Sequence, residues 1–255
     1  MNPTPWESPV KKKLREGGAV FAGTVTVANV DVAAHMANLG FDFLWVEMEH
    51  SPITLETLRN IVLATRGLPA LTFARVPVNE LWTAKRVLDV GVSGVIFPFT
   101  STPELAQQAA AACRYPPHGR RGSGAGLVRL SWPDPGRYPD SADENVTVII
   151  IIEEGRAVER IDEIAATPGV DAMFIGTSDL SFSLGLRGDQ SDPRLKEAIS
   201  RVVEAGKRHG KFLGRPAGSA EQVKEYMRQG FQLFQAATDL GLMAAGAKKY
   251  LDAAT

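Results

Sequence analysis

The stretch FLWVEMEHSP, residues 43–52, carries a run of large apolar side chains straight into Glu47, Glu49 and His50. Charge set against a core is costly unless it is paired or used. Three other apolar runs end the same way: at Arg75, at Glu153 with Glu154, and at Ser178 with Asp179. A histidine can move a proton near neutral pH. An arginine presents a fixed positive charge. Two carboxylates, Glu153 and Asp179, suit a hard divalent cation that keeps several positions for water. No cluster of Cys or His offers a closed zinc site. No lysine falls at the end of an apolar run, so a Schiff-base nucleophile has no candidate there.

Each of these residues also has a plainer reading. Arg75 could pair with a carboxylate on a neighbouring strand, Glu47 and Glu154 could be solvated, and His50 could be a surface histidine. Asp179 could cap a helix, since SDLS opens a helical segment. Their shared location favours chemistry, and that depends on the elements that hold them.

Short β-branched runs alternate with segments of helical period. The runs are 19–27, 41–49, 71–76, 94–99, 146–154, 172–180, 211–216 and 233–239. Continuous hydrophobicity implies strands covered on both faces, as in a parallel sheet. Thr102 before Pro103 reads as a cap followed by proline at the first helical position. Ser219 with Gln222 fits a capping box, and Asp31, Thr54 and Asp192 are expected as caps. Eight β/α units predict a TIM (β/α)8 barrel, one domain over residues 1–255, with its active site at the carboxyl ends of the strands. No Gly-rich dinucleotide turn follows the first strand, which disfavours an open doubly wound sheet. The segment 113–145, rich in Pro, Gly and Arg, is expected as a lid or binding loop.

The chain has 255 residues, 44% hydrophobic and 22% charged, with 28 Lys and Arg against 29 Asp and Glu. Dispersed, balanced charge argues against nucleic-acid and anionic-membrane partners. The lone cysteine, Cys113, excludes an intramolecular disulfide and fits a reducing compartment. With no apolar signal segment and no apolar run near the ~20 residues of a membrane span, a cytoplasmic protein is expected.

The motifs EHSP (49–52), RVPVNELWTAKRVLDVG (75–91), RYPPHGRRGSG (114–124), IIEEGRAVERIDEI (151–164) and FIGTSDLSFSLG (174–185) resemble those of the metal-dependent, class II 2-keto acid and hydroxy-ketoacid aldolases. The likeness runs from about residue 18 to 250. It implies Glu153 and Asp179 as ligands of Mg, Mn or Co, with Zn also compatible, and His50 as acid/base. It implies Asp89 as the carboxylate that orients His50, and Arg75 as the stabiliser of an enolate oxygen. Gly176, Thr177 and Ser178 match the region that holds the keto acid's carboxylate, and Glu49 an acidic neighbour of metal-bound water. The implied substrates are a 2-keto acid such as pyruvate or hydroxypyruvate and an aldehyde. Where the family often has Gln, this chain has Ile151, which removes a polar substrate contact. GTSDL likewise replaces the commoner GPADL. The tail ATDLGLMAAGAKKYLDAA reads as a last helix, which in that family crosses a subunit boundary in a hexamer, a trimer of dimers. A homo-oligomer with that helix exchanged is therefore expected. The alternative is a phosphate-binding barrel isomerase, cued by RPAGS (215–219).

Overall fold

The computed structural model describes residues 6–133 and 138–254. Eight parallel strands close into a barrel in sequence order. They are β1 (Val20–Val25), β2 (Phe43–Glu47), β3 (Leu71–Arg75), β4 (Gly94–Phe97), β5 (Thr147–Ile152), β6 (Ala172–Ile175), β7 (Phe212–Pro216) and β8 (Leu233–Thr238). Every residue of β2 and β5 is buried, as strands covered on both faces require. The eight expected runs are therefore the eight barrel strands.

Several strands stop short of the run that contains them. β2 ends at Glu47, β5 at Ile152 and β6 at Ile175. Glu49, His50, Glu153 and Asp179 consequently stand just beyond the carboxyl ends, where the backbone turns. At β2 the cause is local: the Glu47 carboxylate accepts the amides of Glu49 (2.8 Å) and His50 (3.1 Å) and folds the chain back on itself.

Helix α1 (Pro9–Arg15) precedes the barrel, and α2 (Val30–Ala37), α3 (Leu55–Ala64), α4 (Leu81–Val90) and α5 (Pro103–Ala112) follow β1 to β4. Helix α6 (Tyr138–Asn145) leads into β5, and the short α7 (Gly155–Glu159) and α8 (Ile161–Ala165) come after it. Helices α9 (Thr177–Ser183) and α10 (Pro193–Arg208) follow β6, α11 (Ala220–Gln229) follows β7, and α12 (Asp239–Ala254) follows β8. Thr54, Thr102, Asp192 and Ser219 cap their helices as expected. Gln222, however, accepts the amide of Gly218 (2.8 Å) rather than that of Ser219. Asp31 is not a cap. The Asn29 side chain accepts the amides of Asp31 and Val32, and Asp31 lies in the first turn, where its charge suits the helix dipole.

Inside the barrel Phe43 stacks on Phe73 at 4.4 Å and Trp45 meets Phe174 edge-on at 4.9 Å. Val10 and Leu14 of α1 join this inner cluster and close the barrel floor. The floor is tied by Lys11 to Asp171 at 2.8 Å. The segment 113–145 belongs to the same end. It connects α5 to β5, so it lies at the amino ends of the strands, opposite the polar turns, and residues 134–137 of it lie outside the described residues. Arg121, Val128, Trp132 and Tyr138 of this segment are buried, and the Trp132 ring sits edge-on between Trp6 and Tyr138. Its described residues pack on the floor and do not cover this chain's own polar turns. Cys113 is buried beside it, with burial pushing its thiol pKa up to about 12. No helix among the described residues is long and apolar enough to cross a membrane.

The cap assignment is testable. Asn29→Ala should cost about 1 kcal/mol in chemical denaturation, and Asp31→Ala distinctly less. The reverse order would return the cap to Asp31.

Candidate active site

Arg75, the last residue of β3, is held among carboxylates. Its guanidinium lies 3.4 Å from Glu47 and 3.7 Å from Glu153, and it contacts Glu49. Adjacent strands β2 and β3 pair Glu47 with Arg75 in register, so the sheet itself puts the acid beside the base. Glu47 is 5% exposed, which overturns the solvated reading of this residue. Besides Arg75 and two backbone amides it receives the Trp45 indole N–H at 3.2 Å. Trp45 and Glu47 are two residues apart and so share a strand face.

Glu153 is 1% exposed, and its Oε1 accepts the Phe99 amide at 2.6 Å. Phe99 adopts a positive φ of 46°, a conformation uncommon outside glycine, at the point where its amide turns to the carboxylate. Gly176 lies against the other oxygen: a Cβ there would stand 2.8 Å from Glu153 Oε2. Asp179 is exposed, in the first turn of α9, whose cap position is Gly176. Asp179 is therefore not a helix cap. Thr177 is buried and Ser178 exposed on the same turn. Glu154 turns away to Arg156 (2.7 Å) and Ser101.

Three carboxylates thus contact one guanidinium, and a fourth, Asp179, is near enough to act on two of them. Burial pushes the Glu49 pKa up to about 7, against the pull of Arg75 and with the added repulsion of Glu153, Glu47 and Asp179. Burial also raises the pKa of Glu153, opposed by the Phe99 amide and Arg75 and assisted by Asp179. Crowded acids that resist ionisation are what a multivalent cation relieves. Glu153 and Asp179 supply the hard oxygen donors such an ion prefers. Among the described residues, no group of three or more His, Cys, Asp or Glu side chains is arranged as a ready metal cage.

His50 stands at the rim, its side chain 63% exposed and Nε2 3.8 Å from Glu49. Asp89 is elsewhere. It occupies the last turn of α4, which returns the chain to the amino ends of the strands. There it faces Arg121 at 3.8 Å. Arg121 is 2% exposed, with its guanidinium 4.8 Å from the Tyr115 ring and 5.1 Å from that of Tyr138. A Cβ at Gly124 would strike the Asp89 carboxylate at 2.2 Å. No hydrogen bond joins Asp89 to His50 among the described residues. Arg121, the Phe99 amide and the structural role of Glu47 were not singled out from the sequence, and only the Trp45–Glu47 spacing signalled one of them.

Acids gathered around an arginine at the carboxyl ends of a parallel barrel's strands mark an enzyme's active face. The family model described as HpcH/HpaI aldolase/citrate lyase matches residues 24–245, and the chain belongs to that family of carbon–carbon lyases. It is 36% identical over 217 residues to the 5-keto-4-deoxy-D-glucarate aldolase of Klebsiella pneumoniae, covering 84% of each chain. It is 32% identical over 234 residues to the hydroxypyruvate/pyruvate aldolase of Roseobacter denitrificans, covering 91% of each. A solved HpcH/HpaI aldolase/citrate lyase family protein from Burkholderia cenocepacia superposes with a TM-score of 0.88 at 30% identity, over 97% of this chain and 99% of that one. The isomerase alternative fails with the family and on local grounds. Asp239, after β8, takes the amides of Thr26 (2.7 Å) and Val27 (2.8 Å), donors a phosphate there would need.

Burial separates the acids. Glu47→Ala should cost about 3 kcal/mol, because it leaves Arg75 and two amides short of an acceptor in a buried site. Glu154→Ala should stay within about 0.5 kcal/mol. Equal costs in urea titrations would place Glu47 outside the network.

Proposed function

We propose that the protein is a divalent-metal-dependent aldolase acting on the bond between a 2-keto acid enolate, from pyruvate or hydroxypyruvate, and an aldehyde. The surplus of carboxylates around Arg75 carries this reading. Glu153 and Asp179 are the residues to hold Mg²⁺, Mn²⁺ or Co²⁺, with Zn²⁺ also compatible with oxygen donors. When bound, such an ion supplies Lewis acidity toward the keto acid's carbonyl. Glu49 stands beside it as a partner for water. The turn Gly176, Thr177 and Ser178 receives the substrate carboxylate, the missing Cβ of Gly176 leaving space beside Glu153.

In cleavage His50 takes the proton of the aldol hydroxyl. The electron pair of the breaking carbon–carbon bond moves toward the keto oxygen, and the aldehyde departs. Arg75 meets the charge that develops on that oxygen. In synthesis His50 returns the proton. Ile151 is 2% exposed inside the barrel and in reach of Gly176, so an apolar surface backs this turn, and small or weakly polar partners suit it.

Asp89 serves His50 only across copies of the chain. The five residues of β3 separate the ends of the barrel by roughly 13 Å at ~3.3 Å per residue, far beyond a side-chain hydrogen bond. A homo-oligomer has further support. Helix α12 leaves Leu240, Met243, Tyr250 and Leu251 exposed, and an apolar groove separates it from Val32, Met36 and Leu39 at and just beyond α2. Surfaces of this kind mark interaction sites. We assign α12 to a subunit boundary of a hexamer built as a trimer of dimers. The single buried Cys113 supports a cytoplasmic setting.

Purified protein incubated with pyruvate or hydroxypyruvate and a panel of aldehydes should form aldol adducts. A strong chelator should abolish this and Mn²⁺, Mg²⁺ or Co²⁺ restore it. Borohydride trapping of a covalent substrate adduct would contradict a metal-dependent route. His50→Ala should lower turnover by about 10²–10⁴-fold.

Asp89→Asn should lower it in the same direction. Co-expressed His50→Ala and Asp89→Asn subunits should recover activity, because mixed assemblies contain sites with both residues intact. Mixed assemblies no more active than the average of the two parents would place Asp89 outside the chemistry.

A further inference from the structure

Arg215 has no part in the site at the barrel mouth. It alternates with the inward-facing Gly214 on β7, so its side chain points outward into the helical layer, against α11. It is 9% exposed, its guanidinium lies 3.6 Å over the Tyr226 ring, and Phe231 flanks it at 5.3 Å. Its Nε has no hydrogen-bond partner, and no carboxylate comes within ion-pair distance of it among the described residues. An arginine does not shed its charge on burial. Stacking on Tyr226 compensates one face of the guanidinium, and its buried Nε is left without an acceptor.

Arg215 lines a groove of about 570 Å³ between α10 and α11. Lys196 and Lys207 of α10 line the same groove, with Glu204 as its one carboxylate, so three cations face one anion. At the rim the Gln190 Nε2 donates to the carbonyls of Thr177 and Gly188, both at 3.3 Å. The planar guanidinium fork matches a tetrahedral oxyanion, and the two lysines, roughly 16 Å apart along α10 at ~1.5 Å per residue, raise the positive charge of the groove. A phosphate monoester, close to a dianion at neutral pH, would balance the two surplus charges. The volume exceeds that of inorganic phosphate alone and leaves room for a small organic body.

We infer that the groove between α10 and α11 is a binding site for a small phosphorylated molecule, held by Arg215 in a field that Lys196 and Lys207 make positive. It lies on the outer flank of the barrel, separate from the carboxylate cluster, and its occupancy is independent of aldol chemistry.

Isothermal titration of the intact protein with glycerol 3-phosphate, against chloride at matched ionic strength, tests this. One site per chain is expected in the wild type and in Asp179→Asn, which alters only the barrel mouth. Arg215→Met, which keeps an apolar stack on Tyr226, should retain the fold by circular dichroism and bind at least tenfold more weakly. The surface variant Lys196→Gln/Lys207→Gln should also bind severalfold more weakly, and it decides the matter if Arg215→Met does not fold. No binding above the chloride control would overturn the assignment. So would binding untouched by these flank substitutions, or binding lost in Asp179→Asn.

Discussion

One guanidinium among four carboxylates is the constraint on which the carboxyl face of this barrel depends. Arg75 reaches Glu47, Glu49 and Glu153 from the end of β3, and Asp179 adds a further negative charge at the mouth. One positive charge cannot neutralise them, and burial stops water from doing so. The imbalance appears as raised pKa values at Glu49 and Glu153. A structure built only for stability would have fewer acids or more bases here. The proposed cation and substrate anion would offset this imbalance.

The remaining features hold that cluster in place. Trp45 and two backbone amides fix Glu47, the Phe99 amide fixes Glu153, and the absent side chain of Gly176 allows close approach from α9. The barrel interior beneath, with Phe43, Phe73, Trp45 and Phe174 in contact, is the dry platform that keeps these charges from water. At the other end, α1 and the 113–133 segment seal the floor, and Arg121 with its two tyrosines anchors Asp89 there.

The fold was legible because parallel strands buried on both faces leave uninterrupted apolar runs, and eight of them with capped helices between admit few arrangements. Polar residues at the ends of those runs marked the carboxyl face for the same reason. Less was legible where position depends on chain direction. Asp89 resembles a partner of His50 by motif, yet each helix of a β/α unit carries the chain back to the amino ends, so the last turn of α4 must lie a barrel length away. The 113–145 segment has the composition of a lid, but it follows a helix rather than a strand and falls on the floor by the same geometry. A solvated Glu47 stayed open as an alternative because a lone carboxylate carries no sign of burial; its pairing with Arg75 comes from strand register, a long-range property.

The proposed enolate role of Arg75 can be isolated from the aldehyde half of the reaction. Solvent deuterium uptake into C3 of pyruvate, without aldehyde, should occur in the metal-loaded wild type. It should fall by about 10²–10³ in Arg75→Ala, as loss of one oxyanion donor typically does. It should fall in Arg75→Lys as well, because a lysine ammonium lacks the planar fork. Both variants should still fold and bind Mn²⁺. Wild-type uptake in folded, metal-binding Arg75→Ala would contradict the assignment and reduce Arg75 to a structural counterion of its carboxylates.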